Sequence, residues 1–166
     1  MAKMKKYKIK KGSHYSGFRL SPFYGKNVVK YEVIFTKSCL YDLRNDNQYD
    51  INKLFGLSYF YHHIDSARFG WRADGDKIEI SAYCYKDGQR KIHEMCLIDV
   101  DRLYTLEIKN TGGYYEFELK DESSSFFSYA RISKPITVKV GYELFPYFGG
   151  DETAPHDMEI FMRKRK

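Results

Sequence analysis

The residues best equipped for chemistry crowd into one short stretch, YHHIDSARFGWR at residues 61–72, which holds two histidines, an aspartate, a serine, two arginines and the only tryptophan. Such a set could transfer protons, hold a metal or clamp an acidic sugar. If the stretch is a strand, its period of two puts Phe69 and Trp71 on one face and Arg68, Gly70 and Arg72 on the other. The aromatics then belong to a core and the arginines to an outer face. If the neighbouring strand is KIEISAYCY, residues 77–85, that outer face also receives Glu79, Ser81, Tyr83 and Tyr85. Basic, acidic and aromatic groups side by side suit hydrogen bonding and stacking against a sugar. Arg68, Arg72, Glu79, Tyr83 and Tyr85 are therefore the candidate ligand-binding residues, for a glycan or a neighbouring subunit. The plainer reading is that Arg68 and Arg72 form cross-strand ion pairs with Glu79 and similar residues.

His62 and His63 are adjacent, so in a strand they face opposite ways and cannot chelate one metal together. His93 and His156 add no HxH, HExxH or Cys/His spacing. A second stretch, YFGGDETAPHD at residues 147–157, offers Asp151, Glu152 and Asp157 as hard oxygen ligands, with calcium as the candidate ion. It lacks the alternate-residue spacing of a dedicated calcium loop. A tight surface loop in which Asp157 caps exposed amides is the simpler reading.

For catalysis the pattern is thin. Glycoside hydrolysis needs two carboxylates facing one cleft, but Glu79 has only Ser81 and Tyr83 two and four residues on. Glu116 and Glu118 share a face beside a turn, where a solvated edge is the simpler role. No GxSxG elbow, cysteine nucleophile motif or phosphate-cradling glycine loop is present. No residue is assigned as catalytic. The rival reading, a polysaccharide lyase or hydrolase, would use His93, Tyr83 and Arg68 as acid, base and charge-neutralising group.

The elements that must position these groups read as strands. Aromatics are 17% of the 166 residues, with 16 Tyr and 12 Phe, and they sit among Val, Ile and Thr, a strand composition. KIEISAYCY puts Ile78, Ile80, Ala82 and Cys84 on one face; Asp87-Gly88 is a tight-turn pair, and RKIHEMCLI is the return strand. LYTLEI, the turn NTGG and YYEFEL follow, so residues 77–119 are expected to form a four-strand antiparallel meander. VVKYEVIFTK, PITVKV (Ile136, Val138, Val140) and DMEIFM supply further strands. DINKLFGL, residues 50–57, is the one helical candidate, capped by Asp50 and ended by Gly56. DESSSFFS, residues 121–128, reads as a loop. The expected fold is all-β: a two-sheet antiparallel β-sandwich or jelly roll with at most one short helix.

The formal charge is +6, but residues 1–11 hold six lysines and residues 163–166 are RKRK, leaving the remainder at −4. The expected division is a basic N-terminal tail or edge strand at 1–11, one sandwich domain at 12–162 and a basic C-terminal tail at 163–166. Such tails offer contacts to a polyanion, nucleic acid included, or to an acidic partner surface. Cys39, Cys84 and Cys96 cannot all pair and form no CxxC, which favours buried free thiols and a reducing compartment. No apolar run follows the lysine-rich start, and none is long enough to span a membrane. Synthesis in the cytoplasm without a signal peptide is expected.

Together DINKLFGL, HHIDSARFGWR, KIEISAYCYKDGQR and LFPYFGGDETAPHD resemble the small single-domain jelly-roll proteins with a concanavalin A-like lectin and glucanase fold found in gut Bacteroidales and their tailed phages. The resemblance covers about residues 27–162. It implies a sheet with a concave outer face where related lectins, glucanases and lyases hold carbohydrate. The acidic ExDxxE-type strand of the glucanase members is absent. RKIHE and PYFGG only distantly echo the lyase strands. The reading is a non-enzymatic binding or assembly module, a phage virion structural or accessory protein with a glycan-binding face, working as an oligomer or within an assembly.

Overall fold

Strand alternation dictates the architecture seen in the computed structural model, which describes residues 3–133 and 139–166. The strands are β1 (Lys5–Ile9), β2 (Pro22–Tyr24), β3 (Val28–Phe35), β4 (Asn52–Tyr59), β5 (Ser66–Asp74) and β6 (Lys77–Lys86), then β7 (Gln89–Asp99), β8 (Tyr104–Asn110), β9 (Tyr114–Asp121), β10 (Phe127–Ser133), β11 (Val140–Leu144) and β12 (Met158–Arg165). They form two antiparallel six-stranded sheets, ordered β1-β12-β3-β8-β9-β10 and β2-β11-β4-β5-β6-β7. The fold is the expected all-β jelly-roll sandwich. Two 3-10 turns, Lys37–Cys39 and Asp46–Tyr49, are the helical elements among the described residues. No helix there is long and apolar enough to cross a membrane.

The core is the set of inward faces that alternation assigns. Tyr31, Val33 and Phe35 from β3, Leu106 and Ile108 from β8, and Phe117 and Leu119 from β9 meet Phe55, Phe69, Trp71, Ile78 and Ile80 from the other sheet, all buried. Aromatic pairs join the layers: Phe35 to Trp71 at 5.3 Å, Phe69 edge-on to Phe117 at 5.2 Å and Tyr31 to Phe55 at 4.6 Å between ring centroids. Burial of this kind contributes most of the folding free energy. Cys39 and Cys84 are buried and Cys96 half-buried, all as free thiols; burial pushes the Cys39 thiol up to about 12.

Four expectations need correction. DINKLFGL is not helical: residues 52–57 belong to β4, where the partners on β5 and β11 satisfy the backbone and Leu54, Phe55 and Leu57 are buried. Residues 77–119 form two hairpins in opposite sheets rather than one meander. The chain leaves β7, turns through Asp101 at positive φ and enters the first sheet as β8. The loop at 121–128 is shorter than expected, since Phe127 and Ser128 already belong to β10. The basic C-terminal residues continue β12 instead of trailing as a tail, with Arg163 and Arg165 on the buried Glu32 and Lys164 on the buried Glu143. Of the N-terminal lysines, Lys5, Lys6 and Lys8 lie on β1, an edge strand paired with β12. Ile136 and Val138 lie outside the described residues; Val140 opens β11 and is exposed.

Candidate ligand face

β5 and β6 pair with Arg68 opposite Tyr83, Gly70 opposite Ser81 and Arg72 opposite Glu79, so the faces that alternation assigns coincide. Phe69 and Trp71 are fully buried on the other side. The five candidate residues therefore do share one outward face, but their environments differ.

Arg72 is the ion-paired residue of the plainer reading. It donates to Glu79 Oε2 at 2.8 Å, Glu94 Oε1 at 3.1 Å and the Tyr49 carbonyl at 3.2 Å. Arg68 is different. It is only 9% exposed, and its Nη2 donates to the Phe145 carbonyl at 2.8 Å. Its buried Nε has no hydrogen-bond partner among the described residues. Its surroundings are the hydroxyls of Tyr83, Tyr142 and Tyr147, not carboxylates, and burial lowers its pKa to about 10.

Lys53 joins this face from β4, where the register with β5 shifts between Lys53 and Gly56. Its ammonium sits 5.2 Å from the Tyr83 ring and 5.7 Å from the Tyr147 ring and donates to the Gly149 carbonyl at 2.9 Å. Burial, with repulsion from Arg68 and Arg90 against attraction from Asp50, lowers its pKa to about 8. Tyr83 is held up at about 12 by burial and by Tyr85, eased by Arg90. Lys53, Tyr83, Arg72 and Arg90 border one cleft of about 570 Å³, together with Tyr49 and Asp50. Tyr85 lies on the same face, edge-on to Tyr83 at 5.9 Å and to His63 at 5.1 Å.

His62 and His63 do not occupy a strand. They lie in the turn before β5, with ring centroids 4.3 Å apart, so the opposite-face expectation is overturned. His62 Nδ1 pairs with the Tyr142 hydroxyl at 3.0 Å. Burial, with His63 and Arg68 nearby, lowers the His62 pKa. His93 borders the cleft, yet it pairs with core-facing Ala82, so by alternation its ring leaves β7 on the side away from Tyr83. The His93, Tyr83, Arg68 set is not assembled.

The calcium candidates do not converge. Asp151 is exposed, Glu152 accepts from Asn47 at 3.2 Å, and Asp157 accepts from the Lys11 amide at 2.9 Å and pairs with Lys8 at 2.7 Å. Among the described residues no group of three His, Cys, Asp or Glu could hold a metal. Asp157 caps an exposed amide. Lys53, Arg90, Tyr142 and Tyr147 escaped the sequence reading. Lys53 lay in the segment read as a helix, and Tyr147 was noted only within PYFGG, as a distant echo of a lyase strand, and at the head of a stretch weighed for its acids.

No protein-family model matches the sequence, and no curated protein matches it. Solved structures match at the level of the fold. The alginate lyase of Klebsiella pneumoniae superposes with a TM-score of 0.63 at 9% identity, over 84% of this chain and 58% of that one. The CBM2 module of the evolved Dit of Lactobacillus casei BL23 phage J-1 gives 0.51 at 14% identity, over 97% and 69%. The enzymatically active domain of tailspike protein 2 from bacteriophage CBA120 gives 0.51 at 12% identity, over 95% and 27%. The chain thus spans 58% of the lyase's length. These neighbours are β-sandwich proteins, by name carbohydrate-related or from phages, and at such identities the likeness shows the fold.

Proposed function

We propose that this protein is a non-enzymatic glycan-binding jelly-roll module whose ligand face is the outward side of the second sheet. One observation carries the reading: the outward face of the second sheet holds a cleft among its tyrosines and cations, whereas on the first sheet outward aromatics are covered by cations, Arg131 over Tyr114 at 4.1 Å and Lys120 over Phe127 at 5.6 Å. On the first sheet the charges neutralise one another, with Lys109 on Glu107 at 2.8 Å and on Glu118 at 2.9 Å, Lys120 on Glu118 at 3.4 Å and Lys30 on Glu107 at 3.5 Å. The second sheet presents a cleft with tyrosines and cations, the combination that stacks on sugar rings and hydrogen-bonds their hydroxyls. The likeness to a lyase of alginate and to a carbohydrate-binding module supports a glycan as the ligand class. Binding is favoured over catalysis because Glu79 is tied to Arg72 and His93 faces away from Tyr83. The further reading, a phage virion component, is supported by the likeness to the Dit module and the tailspike domain, and synthesis in the host cytoplasm is part of that proposal.

A glycan array followed by calorimetric titration tests the binding reading. Tyr83→Ala and Arg72→Ala are expected to weaken binding about tenfold or more, the loss of one stacked or charged contact. Wild-type affinity in both variants, or no bound glycan across the array, overturns it. Release of unsaturated product from a panel of uronic-acid polymers would establish the enzymatic alternative instead. Capsid and portal genes beside this gene would support the virion reading, and transporter and glycosidase genes would reverse it.

A further inference from the structure

We infer that the cleft contains an oxyanion subsite, formed by Lys53 and Arg90 and backed from beneath by Arg68, so that the glycan it takes carries carboxylate or sulfate groups. The inference rests on the glycan-binding reading and names the chemical class of that ligand.

The argument is one of unmatched charge. Arg72 shows how the fold compensates a cation internally: it pairs with Glu79 and Glu94. Lys53, Arg68 and Arg90 have no carboxylate within ion-pair distance among the described residues. The acid that faces Lys53 is Asp50, which attracts it without a hydrogen bond, while Arg68 and Arg90 repel it. Charges withdrawn from water are costly unless paired. Here Lys53 is held between two tyrosine rings and Arg68 lies 91% buried, with only a backbone carbonyl as acceptor. Such a site is arranged in advance for an anion, because Lys53 and Arg68 are already largely desolvated and fixed before the ligand arrives, while Arg90 stands exposed at the rim. Lys53 and Arg90 border the cleft and can touch an oxyanion; Arg68 acts through its charge from behind Tyr83 and Tyr147. Neutral hydroxyls alone would leave the charges of Lys53 and Arg68 without an anionic partner.

The test pairs each acidic polymer with its neutral counterpart: a polyuronate against its carboxyl-reduced form, and dextran sulfate against dextran. Binding is followed by calorimetry at one fixed ionic strength. The acidic member of at least one pair is expected to bind about tenfold more tightly or better, the scale of a charge-assisted contact. That preference should fall to near unity in both Lys53→Met and Arg90→Met, each checked for a native circular dichroism spectrum and a cooperative unfolding transition. The two pairs separate carboxylate from sulfate recognition. Equal affinity for acidic and neutral members overturns the subsite but leaves glycan binding standing. A preference that survives both substitutions reduces it to general polyanion attraction and also overturns it. No binding of any of the four polymers by the wild-type chain removes the subsite and the glycan reading together.

Discussion

Lys53 is the residue on which most of the site's physics converges. It is approached by Arg68 from β5, Tyr83 from β6, Arg90 from β7, and Asp50 and Tyr147 from the flanking loops. Its folded pKa of about 8 lies below the unfolded value of 10.5. A lowered lysine pKa means that the charged form is the disfavoured one in the fold. Between pH 8 and pH 10 the unfolded chain still holds the proton that the folded chain has released, so this group makes stability rise with pH. Above pH 10 the buried tyrosines Tyr31, Tyr41, Tyr59 and Tyr115, whose pKa values are raised chiefly by burial, act in the opposite sense. Urea unfolding at pH 7, 8, 9 and 10 should therefore show the wild type gaining about 2 kcal/mol relative to Lys53→Met across this window. Parallel curves for the two proteins would show that Lys53 titrates normally. An oxyanion ligand needs the ammonium form, so its affinity should fall through the same window in which stability rises.

At the scale of the element, the close approach of β4 to β5 places Lys53. Gly56 sits at the register shift opposite Arg68, and a Cβ there would run into the Ala67 carbonyl oxygen and lie 2.7 Å from Arg68 Cα and 2.8 Å from its Cγ. Neighbouring backbone cannot yield as a flexible side chain would. Gly56→Ala is expected to lower stability by about 2–4 kcal/mol in chemical denaturation, and a loss under about 0.5 kcal/mol would contradict this packing. The same glycine explains where reading the sequence failed. In DINKLFGL it looks like a helix terminator, and Asp50 looks like a cap, because four apolar residues in eight do not distinguish a short helix from a strand buried on one side. What decides is the hydrogen-bonding edge offered by β5, which lies ten residues away and has no local signature. The faces of β5 and β6 were readable because strict alternation over nine residues fixes the face, while the register that places Arg68 against Tyr83 and Arg72 against Glu79 is set by the two-residue turn at Gly75 and Asp76. Alternation is silent on which sheet a hairpin joins, so the split between β7 and β8 was not readable. It also cannot tell an arginine ringed by carboxylates from one beneath tyrosines, so Arg68 and Arg72 looked equivalent.

For the whole molecule, the basic ends are part of the clamp between the sheets. Glu143 of the second sheet is 4% exposed and accepts from Lys164 of β12 in the first sheet, from Lys26 and from the Tyr31 hydroxyl at 3.1 Å. Burial pushes its pKa up, but the pairs with Lys164 and Lys26 win and hold it below the ordinary carboxylate range. Asp121, against burial, is drawn down to about 2 by the Ser123 amide and hydroxyl, Ser124 and Arg102. Asp99 and Asp157 are lowered by Lys77 and Lys8. A carboxylate with a depressed folded pKa stabilises above its unfolded value, near 4, and that contribution disappears as pH falls through the folded value. The molecule should accordingly hold its stability from pH 7 to about pH 5 and lose it steeply between pH 4 and pH 2. Glu143→Gln keeps an acceptor for Tyr31 but leaves both lysines uncompensated. It is expected to cost about 1–3 kcal/mol at pH 7, less than a fully buried pair because Lys164 is half exposed, and to flatten the acid slope. Denaturant titrations at pH 7, 5, 3 and 2 on both proteins check this. Identical acid slopes, or a wild type unchanged down to pH 2, would mean that the basic C-terminal residues are a solvated end after all. That result would free them for the polyanion contacts that their ion pairs now oppose.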